Sequence, residues 1–319
     1  MTSTVLITGG LGYVGGRIAL ALRQSGKYRL RLATRGAVTA PPSWLPDAEA
    51  ITMDVASDGD LDEACKDASV VIHLAALNEH ECIADPQHAL TVNGLGTLKL
   101  LQAAQRAHVG RFVYFSTAHV YGAPLIGRID ESSVPRPIHS YAITHRVAED
   151  FVLAAHAMRA LTGIVLRMSN GFGVPAHASV NRWTLIVNDL CRQAVSTGKL
   201  VMRSAGLDQR NFIALEDVGR ASLHVLNMPT ESVGDGLFNL GGTGSMRVID
   251  LAELIAQRCE MVLGHRPGIE HPAATGEAPP MLDYRSDRLF ATGFEPGSNM
   301  NGEIDATLRL CKSSFGSAR

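Results

Sequence analysis

The stretch TGGLGYVG at residues 8–15 constrains this chain more than any other. It ends STVLITGG at 3–10, a short apolar run rich in β-branched residues. It opens GYVGGRIALALRQSG at 12–26, where Val14, Ile18, Ala21 and Leu22 share one helical stripe and Gly26 stops the pattern. Gly10, Gly12 and Gly15 meet the Gly-x-Gly-x-x-Gly spacing, and Gly9, Gly12 and Gly15 meet a wider one. Glycine is frequent here, with 31 residues, so spacing alone says little. The strand before and the helix after give it meaning. Glycines let a backbone pass close to a pyrophosphate, whose charge a helix N-terminus favours. The expected ligand is a dinucleotide.

The same alternation continues. Strands are expected at about 29–34 (RLRLAT), 68–76 (ASVVIHLAA), 111–117 (RFVYFST) and 162–170 (TGIVLRMSN), and a long helix over 86–108 beginning at Pro86. Strands alternating with helices predict an α/β chain with a Rossmann-type, doubly wound parallel sheet. From about 171 the rhythm breaks and the apolar runs shorten. Residues 1–170 are therefore expected to form the dinucleotide-binding domain and 171–319 mostly a smaller, mixed substrate lobe. NFIALEDVGRASLHVL at 211–226 is expected to return a strand and helix to the first domain, and 264–280, with four prolines, to be an exposed loop. The charge is mixed and nets −2, which weighs against a nucleic-acid or membrane surface. The five cysteines are scattered with no Cys-x-x-Cys pair, as expected of reduced thiols in a cytoplasmic protein with no metal site. No basic leader or long apolar run is present, so neither a signal peptide nor a membrane span is expected.

An NAD site usually carries an acidic residue about 20 positions past the glycine loop, to hold the ribose hydroxyls. Here RLRLAT ends in Thr34, Arg35 and Gly36. An arginine can grip a 2′-phosphate in a forked contact that a carboxylate would repel. The cofactor is thus NAD or NADP, with Arg35 leaning towards NADP.

Several motifs in order now resemble one family. They are TGGLGYVG, Asp54 in MDV, HLAA at 73–76, Asn93 in VNGLGT, STAHVYG at 116–122, SYAITH at 140–145, LRMSNGFGVP at 166–175 and RNFIALEDV at 210–218. From residue 4 to about 300 the chain resembles an extended short-chain dehydrogenase/reductase of the NAD-dependent epimerase/dehydratase group, many of whose members act on nucleotide sugars. The resemblance implies that Gly9, Gly12, Tyr13, Val14 and Gly15 hold the pyrophosphate. It implies that Asp54 and Val55 flank the adenine, and that Leu74, Ala75, Ala76 and Ser116 line the cofactor between strands. Asn93 is implied beneath the site. Thr117 matches the group's hydroxyl that orients the reacting alcohol, Tyr141 its acid/base, and Asn170 and Arg210 its contacts to substrate phosphates or ribose.

Two departures narrow the chemistry. Dehydratases of the group carry Asp and Glu after the matched Thr; this chain has Ala118 and His119, which disfavours dehydration and resembles the UDP-galactose epimerases. His119 is either a proton carrier or a hydrogen-bonded pocket residue. The second departure is His145, where the group's Tyr-x-x-x-Lys motif has lysine. Free tyrosine has a pKa near 10 and needs a neighbouring positive charge to act as a base at pH 7. Histidine can bind ribose hydroxyls in either protonation state, but with a pKa near 6.5 only about a quarter is charged at pH 7. A unit charge about 4 Å away contributes roughly 4 kcal/mol at an effective dielectric of 20, or about three pKa units.

Three outcomes follow. Tyr141 stays protonated and suits reduction of a carbonyl; or His145 keeps its charge through a carboxylate and epimerisation proceeds; or the fold binds cofactor without turnover. The leading expectation is an NAD(P)-dependent epimerase or oxidoreductase acting on a nucleotide-activated sugar. The alternatives are an NADPH-dependent reductase of a keto-sugar or other carbonyl, and a non-catalytic dinucleotide sensor. Two long helices near 86–108 and 139–160 carry apolar residues on more than one face. Relatives pair such helices across a two-fold axis, which implies a homodimer.

Overall fold

The computed structural model describes residues 3–57, 59–274 and 279–316. Part of the proline-rich loop and the outermost ends of the two expected domains lie outside them.

The first half alternates as the periodicity predicts. β1 (Ser3–Thr8) leads through the glycine turn to α1 (Tyr13–Ser25), then β2 (Tyr28–Thr34), β3 (Glu49–Thr52), α2 (Leu61–Cys65) and β4 (Val70–His73). α3 (Glu79–Ala84), α4 (Pro86–Ala89), a π-helical turn at Leu90–Leu95 and α5 (Gly96–Arg106) follow, then β5 (Arg111–Thr117), a 3₁₀ turn at Ala118–Tyr121, β6 (Gly127–Ile129), α6 (Ser140–Ala157) and β7 (Thr162–Met168). The second half holds β8 (Asn170–Phe172), α7 (Ile186–Ser196), β9 (Lys199–Val201), β10 (Gln209–Ala214), α8 (Leu215–Asn227) and β11 (Leu237–Leu240). It ends with β12 (Ser245–Arg247), α9 (Val248–Leu263), β13 (Gly268–Glu270), β14 (Leu282–Tyr284), α10 (Asp287–Ala291) and α11 (Met300–Phe315).

Seven strands pair in the order β11-β7-β5-β4-β1-β2-β3, every pair parallel. This is the doubly wound Rossmann arrangement, and its strand order reverses between β1 and β4, where such sheets bind ligands. β4 is buried throughout and β1 from Val5 onward, as strands covered on both faces are. β3 escaped sequence reading because Glu-Ala-Ile-Thr is a half-exposed edge strand with no apolar run.

The division after 170 is interleaved. One core, around Phe172, Trp183, Leu190, Leu251 and Leu308, belongs to the second lobe. Yet Val218, Phe238 and Leu289, from the same half of the sequence, pack with Val5 and Ile18 on the main sheet. α8 packs against α1. A Cβ on its Gly219 would lie 2.7 Å from that of Ala21 on α1, so the two helices meet backbone to backbone. The strand expected with it joins no strand of the main sheet: β10 pairs with β8 and β12 in a separate three-stranded sheet.

The helix expected over 86–108 is broken by the π turn. A π bulge usually marks a position where a side chain must be re-aimed. Here Asn93, inside the turn, accepts the Leu77 N–H at 2.8 Å and donates to Thr144 Oγ1 at 3.0 Å. All five cysteines are free and buried. No helix among the described residues is long and apolar enough to cross a membrane.

Candidate functional site

The glycine turn is shaped by contacts that leave no room for side chains. Gly9 takes φ +68° and donates to Ala33 O at 3.0 Å; Gly12 donates back to Gly9 O at 2.9 Å. A Cβ on Gly15 would lie 2.3 Å from Gly9 O. The first turn of α1 therefore presses against the end of β1, and its N-terminal N–H groups face the cleft edge of the sheet.

Beneath this turn sits a hydrogen-bond chain the sequence did not announce. Thr8 Oγ1 accepts the N–H groups of Leu74 and Ala75, each at 3.1 Å, so its own proton goes to His73 Nδ1 at 2.6 Å. His73 Nε2–H then meets Thr97 Oγ1 at 2.9 Å, and Thr97 donates to Asn93 O at 2.5 Å. Both ring nitrogens are satisfied only in the neutral tautomer, and burial pushes the His73 pKa down to about 3. The chain holds the 74–76 segment against the glycine turn.

A single cleft of about 1470 Å³ runs from the glycine turn to the second lobe. Gly9, Gly12, Tyr13, Val14, Gly15, Arg35, Val55, Leu74, Ala75 and Ala76 line one end. Ser116, Thr117, His119, Tyr141, His145, Asn170 and Arg210 line the middle and far side. Two expected cofactor residues lie elsewhere. Asp54 is not in the lining: its Oδ1 accepts the Ala56 N–H at 2.9 Å, closing a turn, while Met53 and Val55 face the cleft instead. Asn93 is buried below, as a clamp on Leu77. Tyr13 and Ser116 line the cleft with side chains already engaged. The Tyr13 hydroxyl donates to Gly173 O at 2.7 Å, and Ser116 Oγ donates to Glu149 Oε1 at 2.5 Å. What they offer a ligand is backbone.

Thr117 and Tyr141, the expected reacting pair, stand where β5 ends and α6 begins. Both line the cleft there. Burial is the main influence on the Tyr141 phenol and pushes it up to about 12; the charge of Arg182 pulls the other way. His145 packs its ring edge-on at 4.4 Å between centroids. Its Nδ1 lies 2.6 Å from the Tyr114 hydroxyl, and burial drives its pKa down to about 3. Tyr114, buried and raised well above the usual phenol value, stays protonated and donates to Nδ1. Nε2 then carries the proton, and it has no partner among the described residues. Among the described residues no carboxylate pairs with His145. His145 is a neutral donor.

Ala118 begins the 3₁₀ turn and is buried, so neither side chain directly after Thr117 is acidic. His119 is held by its N–H to Thr117 Oγ1 at 3.2 Å, stacks edge-on to His139, and keeps a buried Nδ1 without a partner. Burial, with His139 beside it, lowers its pKa. Asn170 Nδ2 donates to Asn211 O at 2.9 Å, which leaves its oxygen toward the cleft. Arg182 and Arg203 join Arg210 in the lining, and none of the three forms an ion pair among the described residues. Sequence reading missed Arg182 and Arg203 because they stand alone in an irregular segment. Asn78, Glu79 and His80 also line the cleft.

The orphaned Nε2, the cradle a Cβ would fill at Gly15, and the single long cleft fit a dinucleotide at one end and an anionic molecule at the other. The model of the NAD dependent epimerase/dehydratase family matches residues 5–241. A UDP-glucose 4-epimerase of Rhizobium leguminosarum bv. trifolii is 32% identical over 185 residues, 56% of this chain and 55% of that protein. A dTDP-D-glucose 4,6-dehydratase of Mus musculus is 29% identical over 220 residues, 69% of this chain and 57% of that protein. The chain thus spans just over half the length of these two relatives. The crystal structure of a UDP-glucuronic acid 4-epimerase from Bacillus cereus in complex with NAD superposes with a TM-score of 0.81, at 21% identity, covering 99% of each chain.

Proposed function

We propose that this chain, which belongs to the NAD dependent epimerase/dehydratase family, is an NAD(P)-dependent epimerase of a nucleotide-activated sugar. The observation that carries this reading is one cleft lined by Thr117, Tyr141 and His145, between a glycine turn fit for a pyrophosphate and a second lobe that contributes Arg182, Arg203 and Arg210. The similarity to a UDP-glucose 4-epimerase and to the fold of a UDP-glucuronic acid 4-epimerase supports it.

The N–H groups of Tyr13, Val14 and Gly15, at the start of α1, would hold the pyrophosphate, and His145 Nε2–H would donate to the nicotinamide ribose. A bound nicotinamide would supply reversible hydride transfer at the sugar carbon. Thr117 orients the reacting hydroxyl; Tyr141 takes its proton and gives it back. Arg182, Arg203 and Arg210 hold the diphosphate, with Asn170 beside it. Ala118, where a dehydratase needs an acid, leaves no group in that position to move a carbon-bound proton during loss of water.

The test is product analysis. Purified protein with NAD and UDP-glucose, UDP-galactose or UDP-glucuronic acid is expected to yield the 4-epimer, seen by proton NMR, with cofactor that stays bound through gel filtration. The raised Tyr141 phenol favours a second reading, a reductase using Tyr141 as general acid. Consumption of NADPH with a keto-sugar, free exchange of cofactor and no epimer would establish that reading instead. The coenzyme phosphate is decided by binding: with Thr34 and Arg35 closing β2, NADP is expected to bind at least as tightly as NAD, and a tenfold preference for NAD would reject that role for Arg35.

The same reading includes a homodimer in a cytoplasmic setting. Ile143 (45% exposed) and Phe151 (37%) on α6 and Leu90 (49%) and Leu95 (44%) on the π turn put large apolar side chains in solvent, and a second copy is the partner proposed to cover them. The five buried, free thiols accord with a reducing compartment.

A further inference from the structure

Tyr13 belongs to the glycine turn by its backbone and to the second lobe by its side chain. Its N–H lies in the first turn of α1, which no side chain caps. Its buried hydroxyl meets two acceptors far along the chain, Gly173 O at 2.7 Å and Asn188 Oδ1 at 3.2 Å. A phenol has one proton, so the two oxygens share it, with Gly173 O the nearer. Burial raises this phenol above its ordinary value, so it remains a donor.

Asn188 passes the contact on. It sits in the first turn of α7 and is 1% exposed. Its Nδ2 donates to Arg182 O at 3.1 Å, which turns its oxygen to Tyr13. Arg182 is held on both sides of that carbonyl. Its own N–H donates to Val180 O at 3.0 Å, and Trp183 is buried in the second-lobe core, edge-on to Phe315 at 4.9 Å between centroids. Arg182, Thr184, Leu185 and Val187 all line the cleft. Between β8 and α7 there is neither helix nor strand. A stretch without a regular backbone ladder is located by side-chain contacts such as these.

We infer that Tyr13 is a positioning residue for the nucleotide sugar: its hydroxyl, through Gly173 O and Asn188, sets the wall from which Arg182 meets the diphosphate. One residue of the glycine turn then serves two ligands. Its N–H faces the dinucleotide, and its hydroxyl acts on the sugar nucleotide through the wall. The inference rests on the proposed substrate, and the experiment separates the two.

The experiment is calorimetric titration with UDP, in protein saturated with NAD, beside a titration with NAD alone. Parent, Tyr13→Phe, Asn188→Ala and the double variant are compared. Tyr13→Phe keeps the ring and the N–H. It is expected to weaken UDP binding about five- to tenfold and to leave the Kd for NAD within about twofold. Asn188→Ala should weaken UDP similarly, and the double variant should be no more than about twofold worse than the weaker single one, because both changes break the same chain of contacts. In turnover KM should rise while kcat stays within about twofold. A Tyr13→Phe protein that melts lower yet binds UDP as the parent does would reduce the hydroxyl to a packing role and overturn the inference. Equal losses of NAD and UDP affinity would also overturn it, since the effect would then lie in the glycine turn. Should Tyr13→Phe fail to fold, Asn188→Ala decides by the same two affinities. A parent that does not bind UDP would instead remove the proposed substrate, and the inference with it.

Discussion

The Tyr114 hydroxyl lies 2.6 Å from His145 Nδ1, deep in the sheet-facing side of α6. That one contact fixes the tautomer of His145 and sends its remaining proton to Nε2. An imidazole so placed presents a steady donor at any pH where the protein is folded, which a titrating group could not do.

Acid should therefore weaken the fold. His73 and His145 each have a pKa near 3 when folded, against about 6.5 unfolded. Between those values the unfolded chain binds more protons, so stability is fully present above about pH 6.5 and is lost as pH falls towards 3. At pH 5 each histidine costs on the order of 2 kcal/mol. Urea midpoints at pH 7 and pH 5 should differ accordingly; equal midpoints would show that these rings are not buried neutral.

Tyr141→Phe removes the proton carrier but keeps the ring packed against His145. Turnover should drop about 10²- to 10⁴-fold while dinucleotide affinity stays near that of the parent. Thr117→Val should cost less, about 10- to 100-fold, because the phenol remains. Steady-state rates with fluorescence titration of cofactor separate the two effects.

Gly15→Ala drives a methyl group to 2.3 Å from Gly9 O, so the glycine turn must open. Cofactor affinity should fall at least about tenfold, with a lower melting temperature. Gly244, whose added Cβ would meet nothing within 4 Å, provides the control: Gly244→Ala should change neither.

Glu149 is fully buried and accepts from Arg167 at 2.7 and 2.9 Å and from Ser116. Glu149→Gln leaves the Arg167 guanidinium, itself 1% exposed, without its counter-charge. Breaking one side of such a pair should cost about 3–5 kcal/mol, measured by chemical denaturation. A smaller loss would mean that the Tyr121 ring, 4.6 Å below the guanidinium, carries more of its charge than expected.

Phe151→Asp places a charge on the proposed dimer face. Light scattering should give twice the chain mass for the parent and a single chain mass for the variant. Because Phe151 is 37% exposed in one chain, the isolated fold should lose little stability.

β1, β4, β5 and β7 were legible because they are largely buried and read as apolar runs, and the glycine turn because close approach admits no other residue; β3 and β11 carry no such run and were not. The π turn around Asn93 was not, since its cause is a distant backbone group, Leu77 N–H. Asp54 misled for the opposite reason: a motif match says which residue stands there, and the Ala56 N–H decides where its carboxylate goes. His145 was read as a quarter charged from its reference value, whereas burial removes that quarter. Arg182 gave no signal, because a lone arginine in an irregular segment acquires meaning only when the lobes meet.

The first turn of α1 holds more than the glycine loop. Tyr13 donates to Gly173 O, and Arg17 grips Glu303 of α11 at 2.5 Å while the same carboxylate accepts Val174 N–H at 3.1 Å. One helix thus bolts the far half of the molecule to the near half, like a spacer cut to length. Two ligands arriving from opposite ends find the gap between them already set, and reach across it is a property of the empty protein.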